Sequence, residues 1–311
     1  MGESATYSRA IKRHSRIDLF IRLVREKPLG TVGAVIVLIL LQAGIFADLL
    51  APYGFNEIYV ADRLAPPSGT NILGADNLGR DLLSRIIFGA RISMFVSLGA
   101  SFLSIVISTL IGIISGYLGG KTDLVIQRFV DAWMCFPPLF IILTVMAIVG
   151  PGLLQVIVVL GVLYGIGGSR IVRGAVISIK ENIYVDAAVS TGCSTGRLLI
   201  RHILPNVMAP TIILFTTRMG AAIIAEASIS FLGFGIPPPT PSWGGMLSES
   251  GRKYMLQAPW MAIWPGLALS IVVYGINMFG DAVRDLLDPR LRGGIGRYSG
   301  AKRKRPKRLS G

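Results

Sequence analysis

Four stretches of this chain run without a charged side chain for longer than a bilayer is thick. Lys27 to Asp48 encloses 20 uncharged residues, Arg91 to Lys121 encloses 29, Asp131 to Arg170 encloses 38, and Lys253 to Asp281 encloses 27. About 20 apolar residues in a helix cross the ~30 Å hydrocarbon core. Inside that core the backbone finds no water, so each run must satisfy its own N–H and C=O groups by coiling. The expectation is an all-α integral membrane protein. A soluble enzyme, a disulfide-stapled secreted domain and a disordered tail protein are all excluded.

Six spans follow from where the runs are cut. The first covers 29–50, and a turn-rich polar segment over 51–91 separates it from the second, 92–118. The 38-residue run is too long for one helix, and Gly150-Pro151-Gly152 divides it, because Gly and Pro together mark a tight turn. This predicts a hairpin of spans 132–149 and 153–169. A mixed-charge segment over 170–206 comes next. Span five, 207–232, carries two charges, Arg218 and Glu226. A loop over 233–259 containing Pro237-Pro238-Pro239 leads to span six, 260–280. Span one is expected to remain uncleaved: its apolar core exceeds a signal-peptide h-region, and no small-x-small site ends it before Asp48.

The net charge of +14 comes from 31 Lys and Arg against 17 Asp and Glu, in a chain that is 52% hydrophobic. Uniformly spread, it would suggest nucleic-acid binding. Instead the charge is sorted. With segments 1–28, 119–132, 170–206 and 281–311 inside, 24 of the 31 basic residues lie inside and 6 outside, with Arg218 left in span five. Lys and Arg accumulate on the cytoplasmic side of membrane proteins, so both termini are expected in the cytoplasm. The basic tail 281–311 then reads as an anchor near anionic lipid, and no nucleic-acid partner is expected.

Catalytic and metal chemistry find no constellation here. The two cysteines are Cys135 and Cys193, and the two histidines are His14 and His202; none is spaced as a ligand set or placed beside a nucleophile. Catalytic, cofactor and metal sites are all expected to be absent. Ser115–Thr122 approximates the phosphate-cradling Gly-x-x-x-x-Gly-Lys-Ser/Thr loop, with Ser115 where the first glycine belongs. That loop works between a buried strand and a helix N-terminus, and here it follows a membrane run.

The segment 170–206 carries the functional signal. It is long for an inter-helix loop, yet its composition is helical. Tyr184 to Gly192 reads as a short helix ending at glycine, and Ser194 or Thr195 caps a second helix, 196–204, that Pro205 is expected to close. Ala187 and Ala188 present almost no side chain, which lets another protein approach closely. Such a helix–glycine–helix suits docking to a soluble partner; the plainer alternative is a helical extension folded onto its own bundle.

Asp186-Ala187-Ala188, Gly192 and Ile203-Leu204-Pro205 resemble the EAA loop of permease subunits in bacterial ABC importers, with Asp186 in place of Glu and His202 where the pattern has Ile. Leu73-Gly74-Ala75-Asp76-Asn77-Leu78-Gly79-Arg80-Asp81, continuing to Gly89 and Arg91, resembles the segment before span two in dipeptide, oligopeptide and nickel permeases. Gly280-Asp281-Ala282-Val283-Arg284 through Asp288-Pro289-Arg290 resembles that subfamily's C-terminal end. The likeness spans about 15–292 and points to the "C"-type member of a heterodimeric pair in the bacterial inner membrane.

That resemblance implies the type I importer architecture and a set of partners: a sister permease, two cytoplasmic ATPase subunits and an external solute-binding protein. ATP and Mg would sit on the ATPases, leaving this chain without a cofactor and without an enzymatic role. Asp186, Ala187, Ala188, Gly192, Leu204 and Pro205 are carried over as the ATPase-docking residues. Peptides are the implied cargo, with nickel or another small solute as the alternative. A stand-alone transporter or channel would leave the docking loop unexplained, and a membrane-embedded enzyme would lack its reactive groups.

Arg218 and Glu226 remain. Buried charge is costly in lipid, so such residues mark function or tight packing. Eight residues apart, they are ~12 Å distant along a helix, too far to pair closely. Arg218 is expected to snorkel or to bond backbone carbonyls, with the translocation path or the permease interface as the alternative. Glu226, among Ala221, Ala222, Ala225, Ala227 and Ser228, is expected at the bundle interior or the sister-permease interface, with the translocation path as the alternative.

Overall fold

A computed structural model describes residues 23–287. Among them are eight α-helices of eight residues or more and no strand beyond a lone bridge between Ala75 and Asp81. The helices are α1 Pro28–Ile45, α2 Leu82–Leu118, α3 Gly120–Met134, α4 Pro138–Val149, α5 Leu153–Lys180, α6 Ile183–Ser190, α7 Leu204–Phe231 and α8 Trp260–Leu287. Five stretches are long and apolar enough to cross a membrane (α1, α2, α5, α8 and Thr195–Phe231), and the bent pair α3–α4 makes a sixth.

The third span differs from the straight helix expected over 132–149. α3 and α4 meet at a bend of 86°. Pro137-Pro138 is the cause: a proline disfavours helical backbone in the residue before it and cannot donate to the ladder. Pro138 instead opens α4 from its first turn, where its missing N–H costs nothing.

Helices in lipid gain little from the hydrophobic effect, so they associate where small residues let backbones touch. The α2–α5 pair shows this in a parallel stripe. A Cβ on Gly112 would lie 2.6 Å from Val172 Cβ, and one on Gly165 would lie 2.7 Å from Ile107 Cβ. Between these, Ser108 Oγ donates to Gly165 O at 2.8 Å. α1 crosses α8 antiparallel in the same way, with Gly33 against Gly275 and Gly275 against Ile36. At their shared end Lys27 Nζ lies 2.5 Å from Asp285 Oδ2.

α7 is the hub. Its residues enter all three apolar clusters: Ala222 and Ile229 beside α4 and α5, Met219 and Ile223 beside α1 and α8, and Val207 and Leu214 beside Val172 and Val176 of α5. α4, by contrast, buries only Ile142 and Met146.

The helices also outrun the expected spans. α2 begins at Leu82 rather than 92, where Asp81 caps it by accepting Ser84 N at 2.8 Å. α5 continues eleven residues past 169 to Lys180 because Val172 and Val176 carry the same buried face onward. Span six likewise continues to Leu287.

Pro205 does not close a helix. A turn at Thr195–Leu198, a π-helical turn at Leu199–Ile203 and α7 form one stretch, with Pro205 in the first turn of α7. The wider π turn shifts the register upstream of the proline, where its ring would clash with the carbonyl four residues back.

Candidate functional site

α6 stands where α5 turns back toward α7, at the same end of the bundle as the start of α1 and the end of α8. Asn182 closes α5 by donating from Nδ2 to Ser178 O at 3.0 Å and Ile179 O at 2.9 Å. Val185 is buried and anchors α6. The opposite surface is open: Asp186 and Ala187 are exposed and Ala188 half-buried.

Gly192 ends α6 with φ +80°. Gly192 N donates to Val189 O at 2.9 Å and Cys193 N to Ala188 O at 3.0 Å. This paired closure needs left-handed backbone at the glycine. Thr191 Oγ1 reinforces it by donating to Ala188 O at 2.9 Å. Ser194 takes the N-cap position of the following turn without a side-chain cap bond.

The outcome is a shallow groove of about 460 Å3 floored by Ala187, Ala188 and Gly192 and flanked by Tyr184, Arg197 and His202. The Tyr184 and His202 rings stand 6.5 Å apart. Three of the six sequence-selected residues, Ala187, Ala188 and Gly192, therefore line this groove, and Asp186 is exposed on the same helix outside it. Leu204 packs half-buried against Val172, Val176 and Val207. Pro205 is exposed one residue on, along α7. The concavity belongs to this chain, so the small residues form a floor as well as a helix face.

Sequence reasoning treated Arg170 and Arg173 as topology markers only. They are ties. Arg173 Nε and Nη2 donate to Asp123 Oδ1 and Oδ2 at 2.6 and 2.5 Å, and Arg170 pairs with Asp131. Ser115 Oγ donates to Asp123 at 2.5 Å and accepts from Gln127 Nε2 at 2.9 Å. Lys180 Nζ donates to Tyr117 O at 2.8 Å. The stem of α6 is thereby fastened to α2 and α3. The available signal was the pair Asp123 and Asp131, eight residues apart on one helix face, opposite two arginines. The glycines of the near-phosphate loop are the α2–α3 turn, with φ +65° at Gly119 and +53° at Gly120, and a helix precedes them.

Glu226 is fully buried within its own chain. Of the placements expected from sequence, this is the bundle interior; the carboxyl offers no surface to a sister subunit or an open path. The turn Trp243–Met246 packs against the backbone of the next residue, where a Cβ on Gly244 would lie 2.2 Å from Ala227 O and only glycine fits. Ser230 Oγ donates to Glu226 Oε1 at 2.7 Å, while Oε2 has no hydrogen-bond partner. Arg218 is half-buried. Its guanidinium carbon sits 5.0 Å from the Tyr164 ring centroid, and its Nε makes no hydrogen bond. A cation over an aromatic face is attracted by the ring's quadrupole. Among the described residues no three His, Cys, Asp or Glu side chains group as a metal site.

The family described as binding-protein-dependent transport system inner membrane component matches residues 108–293, and the N-terminal TM domain of oligopeptide transport permease C matches residues 15–67. Several curated proteins are similar over most of the length. The dipeptide transport system permease protein DppC of Alkalihalophilus pseudofirmus is 37% identical, over 86% of this chain and 88% of its own. The glutathione transport system permease protein GsiD of Pectobacterium atrosepticum is 37% identical, over 88% and 91%. The oligopeptide transport system permease protein OppC of Bacillus subtilis is 36% identical, over 86% and 88%. Among solved structures, the inward-facing MetNI methionine ABC transporter aligns with TM-score 0.54 at 17% identity, covering 66% of this chain and 96% of the other.

Proposed function

This chain belongs to the binding-protein-dependent transport system inner membrane components, and from that membership we propose how it works within an importer. It is a multi-pass transmembrane permease subunit of an ABC importer. In our reading it pairs with a sister permease, and peptides released by an external solute-binding protein cross between the two. Two cytoplasmic ATPase subunits hold ATP and Mg. The relatives named for dipeptides, glutathione and oligopeptides favour peptides over nickel.

The observation that carries this reading is α6 itself: an exposed, glycine-closed helix mounted on the end of α5 and fastened to α2 and α3. A load applied to the groove over Ala187, Ala188 and Gly192 passes along α5, which is packed against α2 for most of its length. The ends of the described chain lie at the same end of the bundle, consistent with a cytoplasmic face there. An ATPase docked on that groove would tilt the paired helices as it closes on ATP, opening the path by rigid-body motion.

The test is peptide uptake by vesicles carrying this chain with its sister permease, ATPases and binding protein. Ala187→Trp fills the groove floor. Uptake and peptide-stimulated ATP hydrolysis are both expected to fall at least about tenfold, with membrane insertion retained. Coupled uptake at the normal rate would refute docking at α6.

A further inference from the structure

The end of the bundle opposite α6 holds a cavity of about 410 Å3, within the range of small-molecule sites. Its charged lining is one-sided. Arg80, Arg85 and Arg252 line it with Asp76 as the one carboxylate among the described residues. Arg80 and Arg85 are each only 8% exposed, so their charges are largely removed from water.

Asp76 has little left to offer them. Its Oδ1 accepts Leu78 N at 2.8 Å and Arg80 N at 3.0 Å, and its Oδ2 accepts Arg80 Nε at 2.7 Å. Arg85 Nε stands 3.6 Å from the same oxygen, and Arg85 Nη1 donates to Phe55 O at 3.0 Å. Asp76 thus ion-pairs with both Arg80 and Arg85, and among the described lining residues three guanidinium groups share this one carboxylate. Ser230, which lines the cavity, spends its hydroxyl proton on the buried carboxyl of Glu226. Buried positive charge in excess of its counter-charge is unfavourable, and a guanidinium fork matches a carboxylate. Leu82, Ile236, Met246 and Met261 complete an apolar wall suited to a side chain.

We propose that this cavity binds a carboxylate-bearing small ligand, its carboxylate held by Arg85 and Arg80 and its apolar part against Leu82, Ile236, Met246 and Met261. The C-terminal carboxylate of a peptide cargo is the source consistent with the transport function, and in that respect the proposal rests on that reading. A free small carboxylate is the other source.

Direct binding separates the site from transport. The full complex in nanodiscs, without ATP or binding protein, is titrated calorimetrically with an apolar dipeptide, with its C-terminal amide, and with acetate. The dipeptide is expected to bind the wild type, and the amide at least about tenfold more weakly, as loss of a charge-assisted pair demands. Arg85→Gln should weaken the acid about tenfold and the amide hardly at all, while Arg85→Lys recovers part of the loss. Arg252→Gln, at the exposed rim, gives a smaller acid-selective loss of about threefold and tests the site should Arg85→Gln fail to assemble. Acetate binding with the same dependence on Arg85 would support the site with a free carboxylate as its ligand. Equal affinity for acid and amide, loss of both alike in Arg85→Gln, or no binding by any probe would overturn it. Acid-selective binding alongside absent peptide uptake would leave the site standing and sink the transport reading alone.

Discussion

Arg173 on α5 grips Asp123 on α3 with both arms of its guanidinium, Nε at 2.6 Å and Nη2 at 2.5 Å, one to each carboxylate oxygen. The pair sits just before the α5–α6 turn, so it fixes where α6 stands relative to the bend between α3 and α4.

Breaking that grip should loosen the stem without unfolding the bundle. The side chains retain 31% and 18% exposure, so solvent screens the pair only partly. Asp123→Asn is expected to cost about 1–2 kcal/mol and to uncouple ATP hydrolysis from uptake. A double-mutant cycle with Arg173→Gln in purified complex would read the interaction, and additive single effects would show the pair to be idle.

Gly192 is the residue whose backbone alone closes α6. Gly192→Val must adopt φ near +80°, which a β-branched residue resists by more than about 1 kcal/mol. Uptake should drop several-fold while insertion and sister-subunit assembly persist. Gly196→Ala is the control, since its Cβ would meet nothing within 4 Å and its φ is not positive. Indistinguishable behaviour of the two variants would remove any special role for the bend.

The α2–α5 stripe predicts a stability effect instead. Gly112→Val places a branched side chain where a Cβ alone already lies 2.6 Å from Val172 Cβ. Overpacking of this kind costs about 1–3 kcal/mol, with a lowered melting temperature of the detergent-purified complex as the readout. Gly174→Val, on the partner helix α5 but facing open space, should melt near the wild type.

Glu226 divides shape from charge. Glu226→Gln keeps the acceptor for Ser230 and the buried volume, so thermal stability should hold or rise slightly, since no carboxylate need leave water. Glu226→Ala leaves a cavity in the bundle and should lose about 2–4 kcal/mol. If Glu226→Gln abolishes uptake while melting like the wild type, the carboxyl has a part in transport beyond packing.

Much of the architecture was legible from local chemistry. The Gly150-Pro151-Gly152 turn falls between α4 and α5, and Gly192 ends a short helix, because both depend on what a few adjacent residues allow. Span ends were less legible, since the helices outlast the membrane runs: Val172 and Val176 prolong the buried face of α5 beyond the first charge, Arg170. The bend between α3 and α4 was written in Pro137-Pro138 but masked by the uniform apolarity around it. That Leu204 packs half-buried against its own bundle was not legible, because a motif specifies order along the chain and not which face a helix turns outward.

Lipid sets a steep cost on every charge and every unpaired backbone group, and that cost is paid residue by residue. The number of apolar runs, the sorting of Lys and Arg and the glycine turns are therefore determined by the order of residues alone. Partnership is another matter. That Arg173 meets Asp123, that Tyr164 lies beside Arg218, and that Gly244 packs against the Ala227 backbone were decided only when helices distant in sequence came to within a glycine's width of one another. Contact at that range depends on how every helix in the bundle is rotated, and packing sets that rotation for all of them at once.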